Sequence, residues 1–226
     1  MTTKGYAPEQ ILRSINRKLN TLFPTGMPDL LVFGSDPDQA VTNTVTHSHG
    51  RPEVSQAATS ACNGWQVNLS LHGPRLAEID PVPLLMNQVH ELAGVEVQRS
   101  ALFTILTELF VNALDHGVLK LASELKAERN GFEAYMDERA RRLAGLKDGW
   151  VSIVITAQPA YDAIEIVVTD SGSGFDIDAC YQACELAASS RASSPYGRGL
   201  ALVRALCDTL EHQRVGAVTK VSYRWP

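Results

Sequence analysis

Three short groups of residues have the types and spacing to do chemistry. In Glu108-Leu109-Phe110-Val111-Asn112-Ala113-Leu114-Asp115-His116-Gly117, Glu108 and Asn112 stand four residues apart, so on a helix both side chains project from one edge. A carboxylate there can take a proton from a water or hydroxyl, and a carboxamide oxygen can hold a hard cation such as Mg2+. Asp115 and His116 prolong that polar edge. The second group is Asp170-Ser171-Gly172-Ser173-Gly174, after a strand. Its two glycines let a ligand lie against the backbone, and Asp170 can accept a hydrogen bond from an exocyclic amine such as that of adenine. In the third, Gly197-Arg198-Gly199 stands directly before a helix, where free N–H groups and the helix dipole receive phosphate oxygens and Arg198 adds charge.

Each group has an ordinary reading when taken singly. E-x-x-x-N suits a solvated helix face, D-x-G-x-G a tight turn with a capping Asp, and G-x-G a plain loop. The Lys of a Walker P-loop, the Rossmann spacing and the EF-hand spacing are all missing. The order of the three, on a helix, after a strand and before a helix, is more specific than any one of them.

The elements that must position these residues follow from periodicity. Trp65, Val67, Leu69 and Leu71 alternate with polar neighbours, which predicts a half-buried strand and the start of a compact domain. Asp80 caps a helix that carries Leu84, Leu85, Val89 and Leu92 inward until Gly94. A longer helix over 97–116 puts Leu102, Ile105, Leu106, Leu109, Phe110 and Ala113 on one core stripe, and Gly117 ends it. Residues 118–149 are expected to continue helical, as a charged insertion anchored by Leu121, Leu125, Phe132, Tyr135 and Leu143 around a break at Asn130-Gly131. Adjacent antiparallel strands are predicted over 151–156 and 163–169, then a helix over 199–210 and a strand over 217–225. The expected whole is a helix layer on a mixed sheet, with a polar, small-residue segment over 178–196, Ala/Ser-rich from Ala187 to Ser194, that has little to bury and that the resemblance given below implies is a lid.

Composition narrows the partners. The chain has 226 residues, 45% of them hydrophobic, and a net charge of -5 without a dense Lys/Arg run. That disfavours a nucleic-acid surface or a polybasic membrane patch and favours a protein or small-molecule partner. No apolar stretch is expected to reach the roughly 18 residues of a membrane span, and the polar start predicts a cytoplasmic protein. Cys62, Cys180, Cys184 and Cys207 form no C-x-x-C pair, so reduced thiols are expected. His47 and His49 lack the carboxylates or cysteines that would complete a metal site. Residues 1–62 read as an N-terminal extension, with a helix over 9–20 and a polar linker from Gly34 to Asn63, and 63–226 as the compact domain.

In this order and setting the three groups resemble the Bergerat-fold ATPases, the superfamily of gyrase, heat-shock chaperones, histidine kinases and mismatch-repair ATPases. The resemblance covers about Trp65 to Trp225 and implies a two-layer α/β sandwich with a helical insertion. Within the superfamily, the run from Glu108 to Gly117 is most similar to bacterial serine kinases that control anti-sigma-factor antagonists. The run Tyr196-Gly197-Arg198-Gly199-Leu200-Ala201-Leu202-Val203 and the insertion around Gly131-Phe132-Glu133-Ala134-Tyr135 look like kinase domains of proteobacterial response regulators. There they follow a receiver and a metal-dependent serine phosphatase domain, and residues 11–27 are similar to a helix of that phosphatase domain, whose metal-binding motifs are absent.

The resemblance implies ATP and Mg2+ as cofactors, Glu108 as general base and Asn112 as Mg2+ ligand. It also implies a nucleotide pocket of Asn112, Asp115, His116, Asp170, Gly172, Gly174, Gly197, Arg198, Gly199 and Leu200. The implied substrate is an anti-sigma-factor antagonist protein. A sigma or anti-sigma factor and a homodimer remain open as further partners, whereas nucleic acid and membrane are not expected. Two other readings stay open: an ATP-loaded binding module that performs no transfer, and the catalytic domain of a histidine kinase.

Overall fold

Alternating apolar residues build one six-stranded sheet, in a computed structural model that describes residues 29–33, 65–93, 99–122, 131–158, 162–174, 198–213 and 217–224. The strands are β1 (Asp29–Phe33), β2 (Gln66–His72), β3 (Trp150–Gln158), β4 (Ala163–Asp170), β5 (Thr209–Gln213) and β6 (Val218–Arg224), in spatial order β1-β2-β3-β4-β6-β5. Val67, Leu69 and Leu71 of β2, Ile153 and Ile155 of β3, Ile164, Ile166 and Val168 of β4, and Val221 and Tyr223 of β6 share the buried face.

The opposite face is polar. There Gln66 donates to Thr156 at 2.9 Å, Ser70 to Ser152 at 3.0 Å, and Lys220 pairs with Glu165 at 2.7 Å. A sheet with one dry and one wet face is the antiparallel kind, and all five strand pairings are antiparallel. The expected mixed sheet is corrected accordingly: every strand pairs antiparallel with its neighbours. The two antiparallel strands expected around residue 160 pair from Val151↔Asp170 to Gln158↔Ala163.

The helix layer covers the buried face. It comprises α1 (Arg75–Glu78), α2 (Pro81–Ala93), α3 (Arg99–Val111), α4 (Gly131–Ala144) and α5 (Arg198–Leu206). Asp80 accepts a hydrogen bond from Val82 N at 3.1 Å, so the expected cap starts α2. Leu102, Ile105, Leu106, Leu109 and Phe110 of α3 pack on the sheet with Leu85 and Val89 of α2.

Four local expectations need correction. The helix from residue 99 does not stay α-helical to His116: from Asn112 to Val118 it widens into a π-helix, and Leu119 N reaches back five residues to Leu114 O at 2.8 Å. The charged insertion is helical only over α4 among the described residues, and Phe132 is 70% exposed rather than an anchor. The helix expected to run to Leu210 stops at Leu206, because Asp208 N donates to Ser222 O and turns the chain into β5. Inside the supposed extension, β1 pairs with β2 and supplies an edge strand.

With its π-helix, α3 forms a 20-residue stretch, Arg99–Val118, apolar enough by length and composition to cross a membrane. Composition had suggested no such stretch. Its apolar residues are spent in the core, where Leu102, Ile105 and Leu106 are fully buried. The helix over 9–20, the lid over 178–196, His47, His49, Cys62, Cys180 and Cys184 lie outside the described residues.

Candidate functional site

Two close contacts, one on α3 and one on the π-helix that continues it, frame a candidate site. The first lies at α5, which packs beside α3. Gly199, in the first turn of α5, is so close to the Glu108 carboxylate that a Cβ on residue 199 would collide with Oε2; Asn112 Nδ2 lies 4.0 Å from the same point. The absence of a side chain on Gly199 is what lets the carboxylate come this close. The start of a helix, a carboxylate and a carboxamide therefore face one small space. Arg198 is the first residue of α5 and Leu200 is partly buried in its first turn, while Gly197 lies outside the described residues.

Among the described residues, four buried side-chain polar atoms have no partner: Gln88 Oε1, Thr107 Oγ1, Asn112 Nδ2 and Tyr223 OH. Asn112 is the one that lies at Gly199. An orphaned buried amide costs about 1–3 kcal/mol unless something else satisfies it, so a ligand group in the space beside Gly199 would relieve it. Because the two ends of a carboxamide are assigned by their surroundings, the same position presents an oxygen to a cation when the amide is turned over.

The second contact lies nine residues on from Glu108, within the π-helix. There Gly117 abuts the carboxylate of Asp170, and a side chain on Gly117 would collide with it. Asp170 ends β4, and its Oδ1 accepts a hydrogen bond from Gly172 N at 2.7 Å. Ser171 then ties the turn to the start of β3, exchanging bonds with Trp150 N and O at 3.0 Å each. A Cβ on Gly172 would stand 2.5 Å from Gly117 O, so helix and turn meet through two glycines, and Gly174 leaves the turn with φ of +80°. Burial pushes the Asp170 carboxyl up from 3.8 to about 6, against the lowering effect of the Gly172 bond. A carboxylate short of partners in a partly dry setting is a strong acceptor for an N–H donor.

Asp115 and His116 are used differently from expectation. Asp115 is 2% exposed, and both its oxygens are taken by the insertion: Tyr135 OH donates to Oδ2 at 2.8 Å and Arg139 Nε to Oδ1 at 2.7 Å. His116 Nδ1 sits 2.8 Å from Leu121 O. On a regular α-helix residue 115 would lie almost in line with residue 108. The wider π turn beginning at Asn112 advances less per residue, so Asp115 swings off that edge. Gly117, which was expected only to end the helix, and Ser171 make close contacts around Asp170 that were not foreseen. Neither carried a signal beyond adjacency to the motifs.

The residues brought together are thus a helix start, a carboxylate and an orphaned amide in one group and a partly buried hydrogen-bond acceptor in the other. A helix start can receive anionic oxygens and a carboxylate can accept an N–H bond. Residues 74–225 match the family model of the histidine kinase-like ATPase domain. The chain belongs to that family. The α/β fold, with helices on one face of an antiparallel sheet, is that of a histidine kinase-like ATPase domain, and ATP is its nucleotide. No curated protein matches the chain.

Proposed function

We propose that this histidine kinase-like ATPase domain is a Mg2+-dependent protein serine kinase whose substrate is an anti-sigma-factor antagonist, so that phosphorylation switches partner binding. The observation that carries this reading is the Glu108 carboxylate held at the start of α5 beside Asn112. Phosphoryl transfer needs a base for the incoming hydroxyl at the phosphate end of the site, and positioning does most of the remaining work. A domain that only bound nucleotide would have no use for a carboxylate facing the phosphates, where like charge is costly. The similarity of the Glu108–Gly117 run to the anti-sigma-type serine kinases supports the choice of serine and of substrate. A cytoplasmic location fits such a substrate.

When bound, Mg-ATP supplies the phosphoryl group. Asn112 offers its side-chain oxygen to the cation. Asp170 accepts the hydrogen bond of the adenine amine, and the Gly117–Gly172 contact holds the acceptor in place. Gly199 and the N–H groups of the first turn of α5 receive phosphate oxygens. Glu108 orients the serine hydroxyl and takes its proton on a carboxylate oxygen.

Partner capture in Mg-ATP with phosphosite mapping tests the reading directly. Wild-type protein should transfer label from ATP to a serine of the captured partner, and Glu108→Gln should lose at least about a hundredfold of that rate while ATP affinity changes by less than about threefold. Transfer undiminished in Glu108→Gln would remove Glu108 as base. Label on a histidine, lost in acid, would identify a histidine kinase catalytic domain instead, and ATP binding without transfer to any captured protein would identify a binding module.

A further inference from the structure

The insertion helix α4 reaches into the nucleotide-bearing helix through a buried polar cluster. Tyr135 is 2% exposed and Asp115 2% exposed. Tyr135 OH and Arg139 Nε occupy the two oxygens of Asp115, as above, and one turn further along α4 Arg142 Nη1 donates to Leu119 O at 2.6 Å and Lys120 O at 2.7 Å. Glu138, held to about 2 by the adjacent Arg141 and Arg142, fixes Arg142 through a 2.6 Å bond to its Nε. Burial and the bond to Asp115 push the Tyr135 phenol upward, so it remains a donor.

The bonds from Tyr135, Arg139 and Arg142 to the nucleotide-bearing helix end on one short stretch, residues 115–120. That stretch contains the end of the π-helix, the 2.8 Å closing bonds Leu119 N to Leu114 O and Leu121 N to Asp115 O, and Lys120 with φ of +52°. A π turn and a left-handed lysine are both costly locally and persist only when neighbours over-determine them. Gly117, on which Asp170 rests, lies inside the stretch, and Asn112 opens the same π-helix. The register of Gly117 relative to Glu108 and Asn112 therefore depends on the π turn, and α4 braces that turn through Asp115, Leu119 and Lys120.

We infer that Asp115, Tyr135 and Arg139 are positioning residues for the nucleotide site, with α4 acting as a strut that keeps the Asn112–Val118 turn in the shape that accepts ATP. The inference rests on the nucleotide-site reading above. Such a role also makes α4 more than the solvated charged face that its composition suggests.

The test is the affinity for a fluorescent ATP analogue, together with amide hydrogen exchange over residues 112–121 without nucleotide. Arg139→Met keeps the bulk of the stem and removes the charge; Tyr135→Phe keeps the packed ring and removes one donor, so it reads the contact even where Arg139→Met folds poorly. Each should weaken binding about tenfold and speed exchange in the π-helix. Arg139→Lys should bind within about threefold of wild type, and so should Glu133→Ala, on an exposed part of α4. Because both substitutions act through Asp115, their combination should cost less than the product of the single losses. Wild-type binding together with folded Arg139→Met and Tyr135→Phe proteins of unchanged affinity would overturn the strut and leave the nucleotide reading standing. Failure of the wild type to bind would overturn both.

Discussion

Gly199 of α5 and Glu108 of α3 touch so closely that the Glu108 Oε2 atom fills the space a side chain on residue 199 would need. The obstacle to a larger residue is the tip of a flexible side chain rather than backbone, so Gly199→Ala should fold. Alanine in the first turn of a helix gains up to roughly 1 kcal/mol over glycine, which offsets the cost of moving the carboxylate. Stability should stay within about 1 kcal/mol of wild type while phosphoryl transfer falls at least tenfold, because the displaced Glu108 no longer meets the hydroxyl. Chemical denaturation and a transfer assay measure the two arms, and a folded Gly199→Ala protein with full activity would show that the observed Glu108 position does not matter.

Asp170 makes stability depend on pH in a defined direction. Its carboxyl is pushed up from 3.8 to about 6 in the folded protein, so between those values the folded state holds more protons than the unfolded one. Stability from this group is then fully present below about pH 4, is lost as pH rises through about 6, and is flat beyond. Two pKa units correspond to nearly 3 kcal/mol, but the carboxyl is partly exposed and solvent reduces the effect to on the order of 1 kcal/mol. Asp170→Asn should therefore be more stable than wild type near neutral pH and lose that advantage near pH 4, without nucleotide. Urea unfolding at both pH values decides it; an advantage that does not change with pH would place the carboxyl in ordinary solvent.

Much of this site was legible before any coordinates because its chemistry is written in local spacings. Glu108 and Asn112 share an edge through the four-residue helical repeat, Asp170 ends a strand whose alternation is plain, and Gly199 starts a helix. What could not be read is non-local. Gly117 meets Asp170 across a gap in sequence that no periodicity encodes, and the π turn that carries Asp115 to Tyr135 has no residue signature, since its bonds are stabilised from α4. The edge strands were hidden for another reason. In β5, Thr209-Leu210-Glu211-His212-Gln213 is only half buried on one side and contains good helix formers, so pairing with β6 rather than propensity decides its state. Strand β1, Asp29-Leu30-Leu31-Val32-Phe33, is only five residues long in a polar neighbourhood, too short a run to declare its state without its ladder to β2.

The Gly172 turn offers the sharpest contrast with Gly199. A Cβ on Gly172 would stand 2.5 Å from Gly117 O and 2.7 Å from Asp170 Oδ1. The first of these is backbone on the far side of the site and cannot swing aside, so Gly172→Ala must push the glycine turn and the π-helix apart. Forced overpacking of this kind costs about 1–3 kcal/mol, and the movement takes Asp170 away from Gly117 and loosens the 2.7 Å bond from Gly172 N. Nucleotide affinity should fall more than tenfold, and the melting temperature should drop by several degrees. The atoms nearest a side chain in Gly117→Ala are those of the Asp170 carboxylate, so it should lose nucleotide affinity with a smaller loss of stability. Thermal melting and titration with a fluorescent ATP analogue separate the two variants. A folded Gly172→Ala protein that binds nucleotide like wild type would remove the glycine turn from the site, and equal destabilisation by the two substitutions would show that the Gly117 carbonyl yields as easily as a side chain.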